Sequence, residues 1–295
     1  MDEYNEQDYK NFYGEFIAWQ IVDGTWVISY QQGHNYIFLL EGNEKALLID
    51  TAFGYGNLRL LVEKLTDKPV MVVNTHWHAD HIGGNGEWEE VFVSPGWHLD
   101  APSCAAMQQM LPYPIDYAAM SYPNYTKHIL ADGQIIDLGG REIEVMVAKP
   151  SHSHSDLMFL DRTRRLFFCG DLLEPGESGR VQMGLYAMLP GSKEGLCSLK
   201  QRLENMRENT LRIKGRMDEF DLLLANHNGC PMAKSYLDDF IGLSEGVLNK
   251  TVQPDRLNGS MYDQMDIASF MTCLQYKKAS IYVSRPEYEQ MMEEL

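Results

Sequence analysis

Apolar residues in this chain come in short bursts separated by polar, glycine- or proline-bearing stretches. Runs rich in β-branched and aromatic residues at 25–31, 36–41, 45–50, 70–74, 90–94, 134–138, 141–148, 156–161, 165–169 and 221–225 read as strands. Two stretches switch to a helical period. Leu58, Leu61, Val62 and Leu65 form an i, i+3, i+4, i+7 stripe, and Leu196, Leu199, Leu203 and Met206 form another; both predict helices with one core-facing side. Strands interrupted by helices, without strict alternation, predict a mixed α/β architecture. From Val252 onward only Ile281-Tyr282-Val283 stands out, and that tail is expected to be an extension that packs on the pocket or serves an interface.

Chemistry is concentrated where the apolar runs stop. Val70-Met71-Val72-Val73 is followed by Thr75-His76-Trp77-His78-Ala79-Asp80-His81, three imidazoles and a carboxylate within a few residues. Borderline divalent metals such as zinc prefer these donors. Residues two apart on an extended chain point the same way, so His76 and His78 can converge on one ion. Asp80 and His81 come just before Gly83-Gly84, read as a change of chain direction that swings them toward a second ion. A surface loop merely rich in histidine is the alternative, but a pair of ions also requires more histidine and a carboxylate able to bridge. Both follow other strand-like runs. Val145-Met146-Val147-Ala148 leads into Ser151-His152-Ser153-His154-Ser155-Asp156, Leu166-Phe167-Phe168-Cys169 into Gly170-Asp171, and Leu222-Leu223-Leu224-Ala225 into Asn226-His227.

The order H-x-H-x-D-H, then His, then Gly-Asp, then His resembles the metallo-β-lactamase fold superfamily over about residues 20 to 230. Asn35-Tyr36-Ile37-Phe38-Leu39 with Leu47-Leu48-Ile49-Asp50-Thr51 resembles its opening hairpin, and Asp80-His81-Ile82-Gly83-Gly84-Asn85 its post-ligand helix start. The resemblance implies a four-layer αββα sandwich. It also implies that His76, His78 and His152 hold one metal and that Asp80, His81 and His227 hold the other, with Asp171 bridging both. The expected cofactors are two divalent ions, zinc first, with iron or manganese as alternatives. Such a pair brings a shared water toward neutral pKa, giving a hydroxide nucleophile. Asp80, as the family pattern implies, would also carry the proton to the leaving group. His154 is left to a supporting or exposed role, because a ligand histidine followed directly by Ser or Thr favours His152.

Departures from named branches narrow the reaction. Many true zinc β-lactamases carry cysteine at the bridging position, where this chain has Asp171, and the diiron redox branch carries glutamate where His78 stands. The remaining group resembles glyoxalase II, the acyl-homoserine lactonases and related esterases. The expected function is hydrolysis of a small acyl substrate: a carboxylic ester, lactone, thioester or amide. The alternatives are a phosphodiesterase or nuclease of the same superfamily and a low-turnover metal-binding effector.

Charge weighs against the nuclease. At a net −17 the chain repels a polyphosphate unless a basic patch intervenes. The densest basic cluster, Arg162-Thr163-Arg164-Arg165, sits between two strand-like runs as a solvated turn would. The expected partner is therefore a small molecule, with no nucleic acid and no membrane; a homo-oligomer stays open. An acidic N-terminus, apolar runs far short of a membrane span and an odd set of widely spaced cysteines favour a cytoplasmic setting with reduced thiols. None of the cysteines reads as a ligand. Residues 1–295 read as a single domain, with pocket-shaping insertions near 101–128 and 174–192 and the C-terminal extension from about 252. Within the second insertion Tyr186 is a candidate for touching a substrate carbonyl.

Overall fold

A burst of apolar residues becomes a central strand only when both of its faces find cover, and the stretch 35–49 meets that condition. In the computed structural model Ile37, Phe38, Leu39, Leu40, Leu47, Leu48 and Ile49 are all wholly buried. The structure describes residues 16–30, 35–54, 57–96, 125–153, 156–174, 197–255 and 271–295. It divides into two compact units, one drawn from Met1–Val147 and Leu157–Arg164, the other from Ala148–Asp156 and Arg165–Leu295.

In the first unit β1 (Phe16–Val22), β2 (Thr25–Tyr30), β3 (Asn35–Glu41) and β4 (Ala46–Ile49) form an antiparallel meander. Helix α1 (Leu58–Leu65) then returns the chain to β5 (Val70–Val73), which lies parallel to β4. The short helix α2 (Ala79–Ile82) precedes β6 (Glu90–Val93) and β7 (Thr126–Ile129), which extend the sheet in parallel so that seven strands lie in chain order. Asn57 caps α1 by accepting from Leu60 N at 2.8 Å. The predicted stripe Leu58, Leu61, Val62 and Leu65 is buried against Ile28, Ile37, Leu39, Leu48 and Val72. Truncating one such leucine to alanine costs about 2–5 kcal/mol.

Parallel pairing fixes where the functional loops emerge. Ile49 pairs with Val73, so β4 and β5 end side by side and Asp50 comes next to Asn74 and Thr75. Loops beyond the carboxyl ends of parallel strands are where open sheets place their chemistry.

Strands β8 (Ile135–Asp137), β9 (Glu142–Val147) and β10 (Leu157–Asp161) run antiparallel in the same unit. Arg141, at the start of β9, is buried. Its Nη2 and Nε donate to Asp161 Oδ2 at 2.6 and 2.8 Å, its Nη1 to the carbonyls of Gly24 and Glu41, and its Nη2 to Thr25 Oγ1. One guanidinium thus ties four strand ends. Burial pulls its pKa down and the Asp161 charge pushes back.

The second unit contains β11 (Leu166–Gly170), α3 (Leu199–Lys214), β12 (Leu222–Ala225), α4 (Tyr236–Leu248), β13 (Pro254–Asp255), β14 (Met271–Tyr276), β15 (Ala279–Ser284) and α5 (Arg285–Glu294). Strands β11 and β12 are parallel, with Gly170 opposite Ala225, so the loops carrying Asp171 and His227 leave from the same edge. Of the second predicted stripe, Leu199, Leu203 and Met206 are buried on α3; Leu196 lies outside the described residues. The basic stretch 162–165 is a turn whose exposed arginines pair with Glu144, Asp23 and Asp221.

The C-terminal tail is more regular than its pattern suggests. Strands β14 and β15 form a hairpin closed at Lys277-Lys278, and α4 packs on it. A Cβ on Gly242 of α4 would lie 2.3 Å from the Tyr276 ring, so the ring's seat requires glycine. Two lysines are not a hairpin-turn signal, which hid this element. Thr126–Ile129, which overlaps the end of the 101–128 segment, forms strand β7. Among the described residues no helix is long and apolar enough to cross a membrane.

Candidate metal centre

In the first unit the segment after β5 gathers His76, His78, Asp80 and His81. His76 and His81 are wholly buried. His76 Nε2 lies 2.9 Å from His78 Nδ1, and His81 Nε2 lies 3.4 Å from Asp80 Oδ2. Asp50, at a left-handed φ of 67° just past β4, organises the other ends of these rings. Its Oδ1 accepts from Thr75 N at 2.7 Å and its Oδ2 from Thr75 Oγ1 at 2.7 Å. The hydroxyl proton of Thr75 is spent on Asp50, so Thr75 Oγ1 accepts from His76 Nδ1 at 3.0 Å. Asp50 Oδ2 also accepts from His81 Nδ1 at 2.9 Å. One carboxylate therefore sets the tautomer of two histidines, leaving the Nε2 lone pair of each aimed at its neighbours.

The backbone around His81 is equally determined. Its carbonyl accepts from Thr51 N, Thr51 Oγ1 and Asn74 Nδ2 at 2.8, 3.1 and 3.0 Å. Asn74 and Asn85 exchange side-chain hydrogen bonds, and Asn35 Nδ2 donates to the Asp80 carbonyl. Gly83 and Gly84 do a different job from the one their sequence suggests. Neither has positive φ. A Cβ on Gly83 would lie 2.1 Å from Phe53 C, and one on Gly84 2.6 Å from Thr51 O. The glycines let the ligand segment pack backbone to backbone on residues 51–54, which holds it still rather than turning it.

In the second unit Asp171 follows Gly170, whose φ is 59°, and His227 follows β12. Asp171 Oδ2 lies 3.6 Å from His152 Nε2 and 3.3 Å from His227 Nε2. A single carboxylate oxygen thus stands within reach of two imidazoles, the arrangement a bridging ligand needs. Asn228, at φ 61°, donates to the buried Glu174 carboxylate at 3.0 Å and so ties the His227 loop to the Asp171 loop. Ser153 N and Oγ both donate to Asp156, whose carboxyl is pushed up by burial and pulled back by the His152 charge.

The donor spacings within each unit fit divalent ions. Bonds of about 2.0–2.2 Å to a tetrahedral zinc place neighbouring ligand atoms ~3.3 Å apart, and the spacings here run from 2.9 to 3.6 Å. The donors are the imidazole nitrogens and carboxylate oxygens that such ions take, and these His and Asp groups could hold metal. Cys169 and Cys230, near Asp171 and His227 in sequence, do not compete. Burial raises the Cys169 thiol well above its ordinary range and pushes Cys230 up to about 12, so both stay protonated at neutral pH.

Every metal ligand expected from the sequence lies in one of these two clusters. His154 and Tyr186 lie outside the described residues. The sequence does not single out Asp50, Thr75, Asn74 and Asn85 as site residues; for Asp50 the one signal is a polar side chain just beyond an apolar strand.

The family model of the metallo-beta-lactamase superfamily matches residues 30–211. An acyl-coenzyme A thioesterase of Homo sapiens is 26% identical over 50% of this chain and 61% of its own length. An atrochrysone carboxyl ACP thioesterase of Aspergillus aculeatus is 29% identical over 52% of the chain and 45% of its own. The chain thus spans less than two thirds of either relative. A hydroxyacylglutathione hydrolase of Haemophilus ducreyi is 23% identical over 82% of the chain and 94% of its length. Among solved structures, a metallo-beta-lactamase from Pontibacter korlensis superposes with a TM-score of 0.56 at 19% identity, covering 78% of this chain and 99% of that one. The fold is the metallo-β-lactamase fold, with mixed sheets and helices, and the chain belongs to the metallo-β-lactamase superfamily.

Proposed function

We propose that this protein is a dinuclear metal-dependent hydrolase of a small acyl substrate, with a thioester favoured over an ester, lactone or amide. The observation that carries the reading is the pair of donor clusters at metal-ligand spacing, with one Asp171 oxygen between His152 and His227. In this reading His76, His78 and His152 hold one divalent ion, Asp80, His81 and His227 the other, and Asp171 bridges them. Zinc is the expected metal, since imidazole and carboxylate at this spacing suit it. The thioester preference is supported by the names of the relatives, two of them thioesterases and one a hydrolase of a glutathione acyl derivative.

When bound, the two ions supply a water-derived nucleophile at neutral pH and polarise the acyl carbonyl. The chain's own residues do the rest. Asp50 holds His76 and His81 in the tautomer that offers Nε2, directly at His81 and through Thr75 at His76. Asp80 keeps one carboxylate oxygen beside His81 Nε2, so its other oxygen can take the proton of the attacking water and return it to the leaving thiolate. His76, His81, His152 and Asp171 are each buried, which strengthens the electrostatic contacts each of them makes.

The test is a substrate panel on zinc-loaded protein: an acyl thioester, a chromogenic acyl ester, a β-lactam and bis(p-nitrophenyl) phosphate. We expect kcat/KM for the thioester at least about tenfold above the phosphodiester, roughly 1.4 kcal/mol of transition-state binding. Preference for the phosphodiester contradicts the reading.

A further inference from the structure

The loop that carries His152 is gripped from one side by a helix. We propose that Asn205 and Asn209 of α3 are positioning residues that set the place of His152; the inference rests on the reading of His152 as a metal ligand. Asn209 makes a reciprocal pair with the backbone of Lys149: its Oδ1 accepts from Lys149 N at 2.9 Å and its Nδ2 donates to Lys149 O at 2.8 Å. The same Nδ2 donates to Ser151 Oγ at 3.2 Å. One turn earlier, Asn205 Nδ2 donates to Pro150 O at 2.7 Å, and Asn205 Oδ1 in turn accepts from Gln201 Nε2 at 3.1 Å. The three residues before His152 are thus each held at a polar atom by one of two side chains spaced i, i+4 on one face of α3.

Chemistry singles this arrangement out from ordinary packing. Asparagine is a poor helix former, because its amide competes with the helical backbone. Here two of them occupy buried positions of a sixteen-residue helix, 6% and 3% exposed. Leucine or alanine there would favour the helix but leave the Lys149 N–H and carbonyl to seek other partners, and the Pro150 carbonyl with only the weak Cys197 Sγ contact at 3.9 Å. Pro150 has no N–H and its fixed φ stiffens the same segment. Rigid backbone on the approach to a ligand is what holds an imidazole within the fraction of an ångström that a metal bond tolerates.

The same face of α3 supplies a control. Arg202, wholly buried, donates to both carboxylate oxygens of Glu287 on α5 at 3.2 and 3.0 Å. That tie anchors the helix to the C-terminal segment without touching the 149–151 backbone.

The experiment uses the full chain and zinc alone as probe. Zinc affinity is measured by chelator competition for wild type, Asn209→Ala, Asn205→Ala and Glu287→Gln. Amide hydrogen exchange of the metal-free proteins and their thermal midpoints are recorded alongside. Asn209→Ala should weaken one of the two ions about tenfold or more, as loss of an outer-shell partner does, and leave the other nearly unchanged. The Lys149 amide should lose protection in Asn209→Ala even without metal. Asn205→Ala, which removes a single tie, should do less to affinity and serves if Asn209→Ala does not fold. Glu287→Gln should lower the thermal midpoint and leave both affinities in place. Unchanged zinc affinity in a folded Asn209→Ala, or an equal loss in Glu287→Gln, overturns the positioning role. Wild-type protein that takes up no zinc overturns the metal reading itself, and this inference with it.

Discussion

Asp161 and Asp50 are both wholly buried carboxylates of the first unit, and the company each keeps is different. Asp161 faces a guanidinium that is always charged, and the pair is closed by two carbonyls and a hydroxyl, from Gly24, Glu41 and Thr25. Asp50 faces a backbone N–H, a hydroxyl and an imidazole, and through them it orients two rings whose far nitrogens stand beside His78 and Asp80. A buried carboxylate answered by a permanent cation is architecture. One that spends its hydrogen bonds on setting histidine tautomers leaves donor nitrogens that a cation of another kind could take.

That contrast can be broken most forcefully at Arg141. Arg141→Leu strands Asp161 in the interior and should cost about 3–5 kcal/mol of stability, the scale for removing one partner of a buried pair. Chemical denaturation measures it; the metal affinity of the fraction that stays folded should not change. Next in size, Asp171→Asn keeps the shape but removes the charge between His152 and His227. Turnover should fall at least about a hundredfold, and near-normal kinetics would make Asp171 structural. Asp50→Asn should reduce metal affinity by about 10–100-fold, read by chelator competition, with a smaller loss of stability than Arg141→Leu. A larger loss of stability than affinity there would place Asp50 beside Asp161 as architecture. Gly83→Ala forces a Cβ against the Phe53 backbone and should cost about 1–3 kcal/mol, seen in the denaturation midpoint. The smallest effect belongs to Arg165→Gln. Its pair with Asp221 is exposed, held by a side-chain hydrogen bond that raises the Arg165 pKa and lowers that of Asp221, and neither midpoint nor turnover should move measurably.

The donor cluster after β5 was legible because the chain compresses it: four donors between His76 and His81 directly follow an apolar strand. Strand positions were legible for a related reason, since runs such as Ala46–Ile49 and Leu157–Asp161 are apolar on both faces and stop abruptly at polar residues. What holds the ligands was not. Asp50 lies 25 residues before Thr75, and only the parallel pairing of β4 with β5 brings them together. Arg141 and Asp161 look like ordinary hairpin-end charges until β9 and β10 are paired in register, with Asp161 opposite Ile143. Asn205 and Asn209 fall outside the apolar stripe of α3, and both are buried. Polar residues inside a fold answer to partners distant in sequence, and periodicity carries no record of those partners.

The central claim, that the two clusters together hold a pair of divalent ions that the reaction needs, is tested most directly by counting metal in the active protein. Elemental analysis of purified, fully active chain should approach two ions per molecule, and removal of both by a chelator should abolish thioester hydrolysis until zinc is restored. Full activity with about one ion per chain, or activity that survives chelation, would contradict the account.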